Sequence, residues 1–228
     1  MAPTNTPICL ENTALFRGLE AKEIKEVLNC LKAREKAYAK DEIILPAGSF
    51  VQEIGLVLEG SVNIVVNFFW GSASIFGHVK AGSIFAETYA ALPEKELLCD
   101  VVAAEESRIL FLNMQKMSTP CQRSCPFHQR LIHNLLGILA EKNLALSSRM
   151  VHVAPKSIRE RLLSYLSSAA LEHGSSHFFL PFDRQQLADY LGVDRSALSH
   201  ELSKMQKDGL LTYHKNEFTL CEKPDFIP

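Results

Sequence analysis

The residues whose types and spacing could do chemistry lie in two places. The first is Asp183 to Asp208, DRQQLADYLGVDRSALSHELSKMQKD. Leu187 and Leu191, with the small Ala188, give one short helix a buried face, and Leu198, Leu202 and Met205 at i, i+4 and i+7 give a second. Gly192 stops the first helix, because glycine alone accepts a positive φ without steric cost, and Val193 plugs the gap between the two. Asp183 and Asp194 stand as N-caps, Gln186 closing a capping box on the first. What remains on the outer face of the second helix is polar: Arg195, Ser196, Ser199, His200 and Ser203. Side chains of this kind hydrogen-bond base edges in a major groove, so the pattern points to a DNA-reading helix-turn-helix. Glu201 departs from it, standing where such motifs are often apolar, with Leu202 beside it in the buried role. The alternative, an ordinary helix pair in a core, has no use for short polar residues at the start of its second helix.

The second place is Cys121-x3-Cys125-x2-His128. A helix N-terminus lowers a thiol's pKa, so Cys125 fits a reactive thiolate with Cys121 as its resolving partner. With His128 the set fits a metal site, although three ligands at this spacing match no strong zinc signature. The plainer reading is two small, partly buried cysteines and a capping histidine, and the pattern favours it over either chemistry. The histidines at 78, 133, 152, 173, 177 and 214 show no ligand spacing.

The elements that must position these residues follow from pattern. A helix is expected from about Thr13 to Leu31. Between Ala37 and Asn113, β-branched and aromatic runs separated by glycines give strands at Ile54–Leu58, Ser61–Phe69, Ser74–Val79, Leu97–Ala104 and Arg108–Leu112. Short strands at regular spacing point to a small barrel or double-layered roll. A long helix then runs from Pro126 to about Arg149. On it Ile132, Leu136, Leu139, Asn143, Leu146 and Met150 alternate at four and three, a coiled-coil seam in which Asn143 takes an a-type position and would fix a dimeric register. Phe127, Leu131, Leu135 and Ile138 form a second row facing the β-domain; a single buried helix inside a monomer is the alternative. Ser157 and Glu160 make a capping box for the next helix, which carries Ile158, Leu162, Tyr165 and Leu166 inward and ends before Gly174. His177–Leu180 is expected as a strand, and Leu210–Tyr213 with Glu217–Leu220 as a hairpin wing able to lie along a phosphate backbone.

Composition sets the outer limits. With 228 residues, 47% hydrophobic and 22% charged, the chain has material for one or two real cores. The net charge of −2 points neither to nucleic acid nor to membrane. No apolar run approaches the ~20 residues needed to span a bilayer, and Met1–Leu10 lacks a signal-peptide core, so a cytoplasmic protein with free thiols is expected. From Pro155 onward nine Lys and Arg stand against ten Asp and Glu. A local patch from Arg184, Arg195, Lys204, Lys207 and Lys215, with Arg159 and Arg161 nearby, must supply the positive charge that DNA binding needs. That predicts a modest footprint per subunit and reliance on dimerisation.

Roll, long helix and winged helix-turn-helix, in that order and at this length, resemble the CRP/FNR family of transcription regulators from about Phe16 to Leu220. The marks are Ile54-Gly55-Leu56-Val57-Leu58-Glu59-Gly60-Ser61-Val62, Gly82-Ser83-Ile84-Phe85-Ala86-Glu87 and, most specific, Val193-Asp194-Arg195-Ser196-Ala197-Leu198-Ser199. The resemblance implies an α+β chain: a jelly-roll-like, double-stranded β-roll sensor over 1–118, a dimerisation helix over 119–153 and a winged helix-turn-helix over 154–228. It implies a non-enzymatic, effector-gated homodimer on a palindromic double-stranded DNA operator, with RNA polymerase as a further partner if it activates. Arg195 matches a guanine-reading arginine and Gln185 a phosphate-touching residue. Ser196 and His200 depart from a base-reading glutamate and an arginine, so the operator should differ.

The resemblance also locates the effector pocket. In the cyclic-nucleotide branch an arginine–serine pair holds the ligand's phosphate and a glutamate after a glycine holds the ribose. Here Glu87 keeps the glutamate position, Ala86 replaces the glycine, and Leu97 and Leu98 replace arginine and serine. Lys142 and Asn143 stand where small hydroxyls would meet the base. A phosphate against two leucines lacks its counter-charge, so cyclic AMP is not the expected effector, which is left unidentified. Glu87 then stands as a retained structural carboxylate. An iron–sulfur cluster is not expected either, because Cys9 and Cys30 alone precede the roll. The reading of another class is a cyclic-nucleotide-binding or cofactor-using enzyme subunit without DNA binding. It lacks a phosphate-binding arginine, a glycine-rich phosphate loop and a nucleophile–base pair.

Overall fold

The computed structural model describes residues 8–71, 73–119 and 126–221. It divides into two compact units, one ending at Leu139 and the other beginning at Ala140.

The first unit opens with a single 3-10 turn, Leu10–Asn12, and helix α1, Ala21–Cys30. The long helix expected over 13–31 is therefore cut short. Gly18 takes a φ of +77°, and Glu20 and Glu23 start α1 afresh as a capping box. Strands β1 (Arg34–Tyr38), β2 (Ile43–Leu45), β3 (Glu53–Glu59), β4 (Ser61–Asn67), β5 (Ala73–Lys80) and β6 (Ile84–Phe85) follow. The short helix α2, Glu87–Ala91, precedes β7 (Asp100–Ala103) and β8 (Ser107–Asn113), and α3, Met114–Ser118, closes the roll. Two four-stranded antiparallel sheets result, in the orders β1-β8-β3-β6 and β2-β7-β4-β5, which is the double-layered roll expected. The expected strand over 97–104 begins only at Asp100, because Leu97 exchanges backbone bonds with Gly48 and Ser49 instead.

The core of this unit holds Ile54, Leu56, Val57, Ile109, Leu110, Phe111 and Leu112, all fully buried. Gly55 sits opposite Phe85 in the β3–β6 register, and a Cβ there would lie 2.1 Å from the Phe85 ring tip, so only glycine admits the ring. Helix α4, Pro126–Val153, runs four residues past its expected end. Its row Phe127, Leu131, Leu135 and Ile138 packs on the roll's core as expected, Leu131 and Leu135 being buried.

The second unit contains the C-terminal part of α4, then α5 (Ile158–His173), β9 (His177–Phe179), α6 (Arg184–Leu191), α7 (Arg195–Lys207), β10 (Leu211–His214) and β11 (Glu217–Leu220). Its three strands form one antiparallel sheet in the order β10-β11-β9, so the expected hairpin wing gains a third strand. Leu162, Leu166, Leu187, Leu191, Leu198, Leu202, Met205, Leu211 and Phe218 make a separate core. Among the described residues no helix is long and apolar enough to cross a membrane.

Candidate nucleic-acid interface

The helix pair α6–α7 forms as its local signals dictate. Asp183 accepts from the Gln186 amide while Gln186 reaches back to the Asp183 amide. Gly192 ends α6 at φ +64°, and the Val193 amide closes back on the Ala188 carbonyl at 3.0 Å. One Asp194 carboxylate oxygen accepts from the Ser196 hydroxyl and from the Ala197 and Ser196 amides, which holds its pKa below the usual carboxylate range. Leu198, Leu202 and Met205 are fully buried beneath α7.

Opposite that stripe, Arg195, Ser196, His200, Ser203 and Lys204 are exposed and Ser199 is half-buried. The hydroxyls are already engaged: Ser196 donates to Asp194, Ser199 to the Arg195 carbonyl and Ser203 to the Ser199 carbonyl. Among the described residues the Arg195 guanidinium, the His200 ring and the Lys204 ammonium make no hydrogen bond within the chain, leaving them as outward donors of the face. Gln185 is exposed and bonds Asp189 one turn on.

Three arginines counted toward a basic patch are committed inward, which sequence alone did not reveal. Arg184 is half-buried, donates to the Lys215 carbonyl and lies over the Tyr213 and Phe218 rings at 5.0 and 5.7 Å; burial lowers its pKa. It ties α6 to the wing. Arg159 on α5 pairs with Glu201 and, at 2.8 Å, with Asp208. Glu201 thus departs from the apolar pattern because it clips α7 to α5. Arg161 donates to the carbonyls of Pro155, Leu191 and Gly192.

The other expected sites are placed as follows. Glu87 is buried at the start of α2, and Ala86 before it holds a left-handed φ of +61°. The turn that a glycine would make freely is thus kept at a cost of about 1 kcal/mol. Leu97 is buried in the roll's core whereas Leu98 is 78% exposed, so the two leucines face different surroundings. In the second unit Lys142 is half-buried and Asn143 exposed. Along the seam, Ile132 and Leu139 are half-buried and Asn143, Leu136, Leu146 and Met150 exposed, the last at 70%. Cys121 and Cys125 lie outside the described residues. His128 is buried, and among the described residues neither ring nitrogen has a hydrogen-bond partner. Among the described residues no group of His, Cys, Asp and Glu is placed to hold a metal ion.

The family model of the cyclic nucleotide-binding domain matches residues 35–124, and that of the Crp-like helix-turn-helix domain matches residues 160–224. The chain belongs to the CRP/FNR family. That is a family of transcription regulators, not of enzymes. A curated relative, the transcriptional activator protein FnrL of Cereibacter sphaeroides, is 22% identical across 77% of this chain and 71% of its own length. Among solved structures, the c-di-GMP responsive regulator CLP of Xanthomonas campestris has a TM-score of 0.57 at 18% identity, covering 90% of this chain and 100% of that one. A CooA mutant from Carboxydothermus hydrogenoformans has a TM-score of 0.55 at 20% identity, covering 86% and 90%. CprK complexed with OCPA has a TM-score of 0.61 at 14% identity, covering 86% and 91%. At these identities the structures share the fold. The CRP/FNR assignment removes the support for an enzyme subunit without a DNA-reading module, and it rests on the same two stretches that carry the roll and the reading helix here.

Proposed function

We propose that this CRP/FNR regulator acts as a homodimer paired along α4, reads a palindromic DNA operator with α7, and is gated by an effector of the β-roll other than cyclic AMP. The observation that carries the reading is the division of α7 into a fully buried leucine stripe and an outward face on which Arg195 and His200 keep their donors free. Arg195 supplies the bidentate donor pair that recognises guanine O6 and N7. Ser196, Ser199 and His200 frame it, and Gln185, Lys204 and the wing take phosphate positions, Arg184 acting on the backbone only through its hold on the wing. Pairing is supported by the exposure of Leu136, Leu146 and Met150, apolar side chains at seam spacing that lack cover among the described residues. An effector other than cyclic AMP is supported by leucines in place of a phosphate's counter-charge. RNA polymerase is the further partner if the regulator activates.

Selection of bound sequences from random duplexes tests this reading. The wild type should enrich two inverted half-sites about one helical turn apart. Arg195→Ala should lose about 1–3 kcal/mol on the selected site and its preference at one position per half-site. Enrichment of nothing, or an Arg195→Ala profile identical to wild type, would refute it.

A further inference from the structure

The last four carbonyls around the end of α6 all accept from arginines outside the α6–α7 motif. Arg161 on α5 takes Leu191 and Gly192, at 3.0 and 3.3 Å. Arg149 on α4 takes the other two: its Nε donates to the Tyr190 carbonyl at 3.0 Å and its Nη2 to the Asp189 carbonyl at 3.1 Å. A helix C-terminus presents carbonyls with partial negative charge and few internal partners (here, among the described residues, only the Asp189 carbonyl also accepts from an amide, that of Gly192), so a planar cation bridging two of them is a strong anchor. The same guanidinium lies 5.6 Å over the Tyr190 ring. Three residues on, buried His152 spans two elements, its Nδ1 2.9 Å from the Tyr190 hydroxyl and its Nε2 3.1 Å from the Ser168 hydroxyl. Ser168 gives its own proton to the Ser164 carbonyl, so Nε2 donates to Ser168 and Nδ1 accepts from Tyr190.

Arg149 and His152 belong to the helix that carries the exposed seam, and Arg149 lies between Leu146 and Met150 in sequence. Arg161 serves the same carbonyls from α5, inside the reading unit. We propose that Arg149, aided by His152, is a positioning residue: it fixes the reading head on the end of the pairing helix, so that two paired heads present α7 at one spacing. This rests on the paired reading above. Arg149 touches no DNA in this role. Its contribution appears only when two heads must fit one operator, because a single head needs no fixed relation to its twin.

The test compares two duplexes built from the selected sequence, one with both half-sites and one with a single half-site, on the full-length protein. Wild type should prefer the two-site duplex strongly. Arg149→Ala should lose about tenfold of that preference, while single-site affinity stays within about twofold and solution mass stays dimeric. Tyr190→Phe, which keeps the ring and removes only the hydroxyl paired with His152, should lose a smaller part. It also serves as the decisive variant if Arg149→Ala fails to fold. Preference retained in these variants, or both affinities falling together, would overturn the inference. A wild type with no two-site preference would instead overturn the paired reading, and this inference with it.

Discussion

The turn between α6 and α7 offers a perturbation whose cost can be assigned to one cause. At Gly192 the backbone holds φ +64°, and a Cβ would meet only the Arg161 Nη1, at 3.9 Å, an ordinary contact. Gly192→Ala therefore meets no steric clash, and all of its penalty is backbone. The left-handed conformation costs an L-residue about 1–2 kcal/mol, and the reduced freedom of the unfolded chain returns about 0.4–1 kcal/mol. The net loss should be about 1 kcal/mol. Asparagine tolerates this conformation and should cost roughly half as much, whereas valine, stiff at its branched Cβ, should cost about 2 kcal/mol or more. Because the chain has two units, global unfolding blurs the effect, and amide hydrogen exchange of α6 and α7 is the direct measure. Each ~1.4 kcal/mol appears as a tenfold faster exchange in these helices, with the β-roll unchanged. Equal protection in the glycine and alanine proteins, or asparagine worse than alanine, would refute the backbone argument.

Gly55→Ala should destabilise the β-roll by about 1–3 kcal/mol, since the Phe85 ring is 2% exposed and has nowhere to go; adding Phe85→Leu should recover part of the loss, as urea unfolding followed by circular dichroism would show. Burial, opposed by Glu172, lowers the His152 pKa, so the unfolded chain takes its proton first, near the ordinary value of about 6.5. The second unit should be fully stable above that value and lose stability as pH falls toward the lower folded-state value, read as faster exchange in α5 and α6, and His152→Gln should flatten the slope. Leu146→Glu places a charge in the exposed seam and should shift the solution mass toward one chain while leaving the thermal unfolding of the roll in place.

Where signals were local, the chain declared its structure. Capping boxes at Ser157/Glu160 and Asp183/Gln186, the Asp194 cap and the Gly192 stop each act within four residues, and all form. The β1 strand was missed because Arg34-Glu35-Lys36-Ala37-Tyr38 is an edge strand, exposed except at Tyr38, with no alternation to display. The helices α2 and α3 are single turns, too short for periodicity. The Glu20–Glu23 box was a legible sign that α1 starts late, but a glutamate cap is easily passed over beside the apolar Leu15, Phe16 and Leu19. What no pattern could disclose is which side chains meet across the fold. Arg159, Arg161 and Arg184 look alike in sequence to Arg195, and only packing separates the three that brace the motif from the one that faces outward.

That separation resolves the electrostatic problem of a DNA-reading unit with nine cations against ten anions after Pro155. Net charge measures the wrong quantity, because most of the described acids are engaged close to home. Glu160, Asp183 and Asp194 cap helix N-termini, where peptide dipoles favour them, and Glu201 and Asp208 are held by Arg159. Glu217 bonds His177 across the sheet at 2.9 Å. Along α7 and at the wing turn Arg195, Lys204, Lys207 and Lys215 are exposed, a local group of cations that the summed charge hides. A patch this small releases few counterions per chain. An operator contacted by two heads doubles that release and adds the second set of base contacts, so the modest charge of one reading head is itself an argument that the regulator works in pairs.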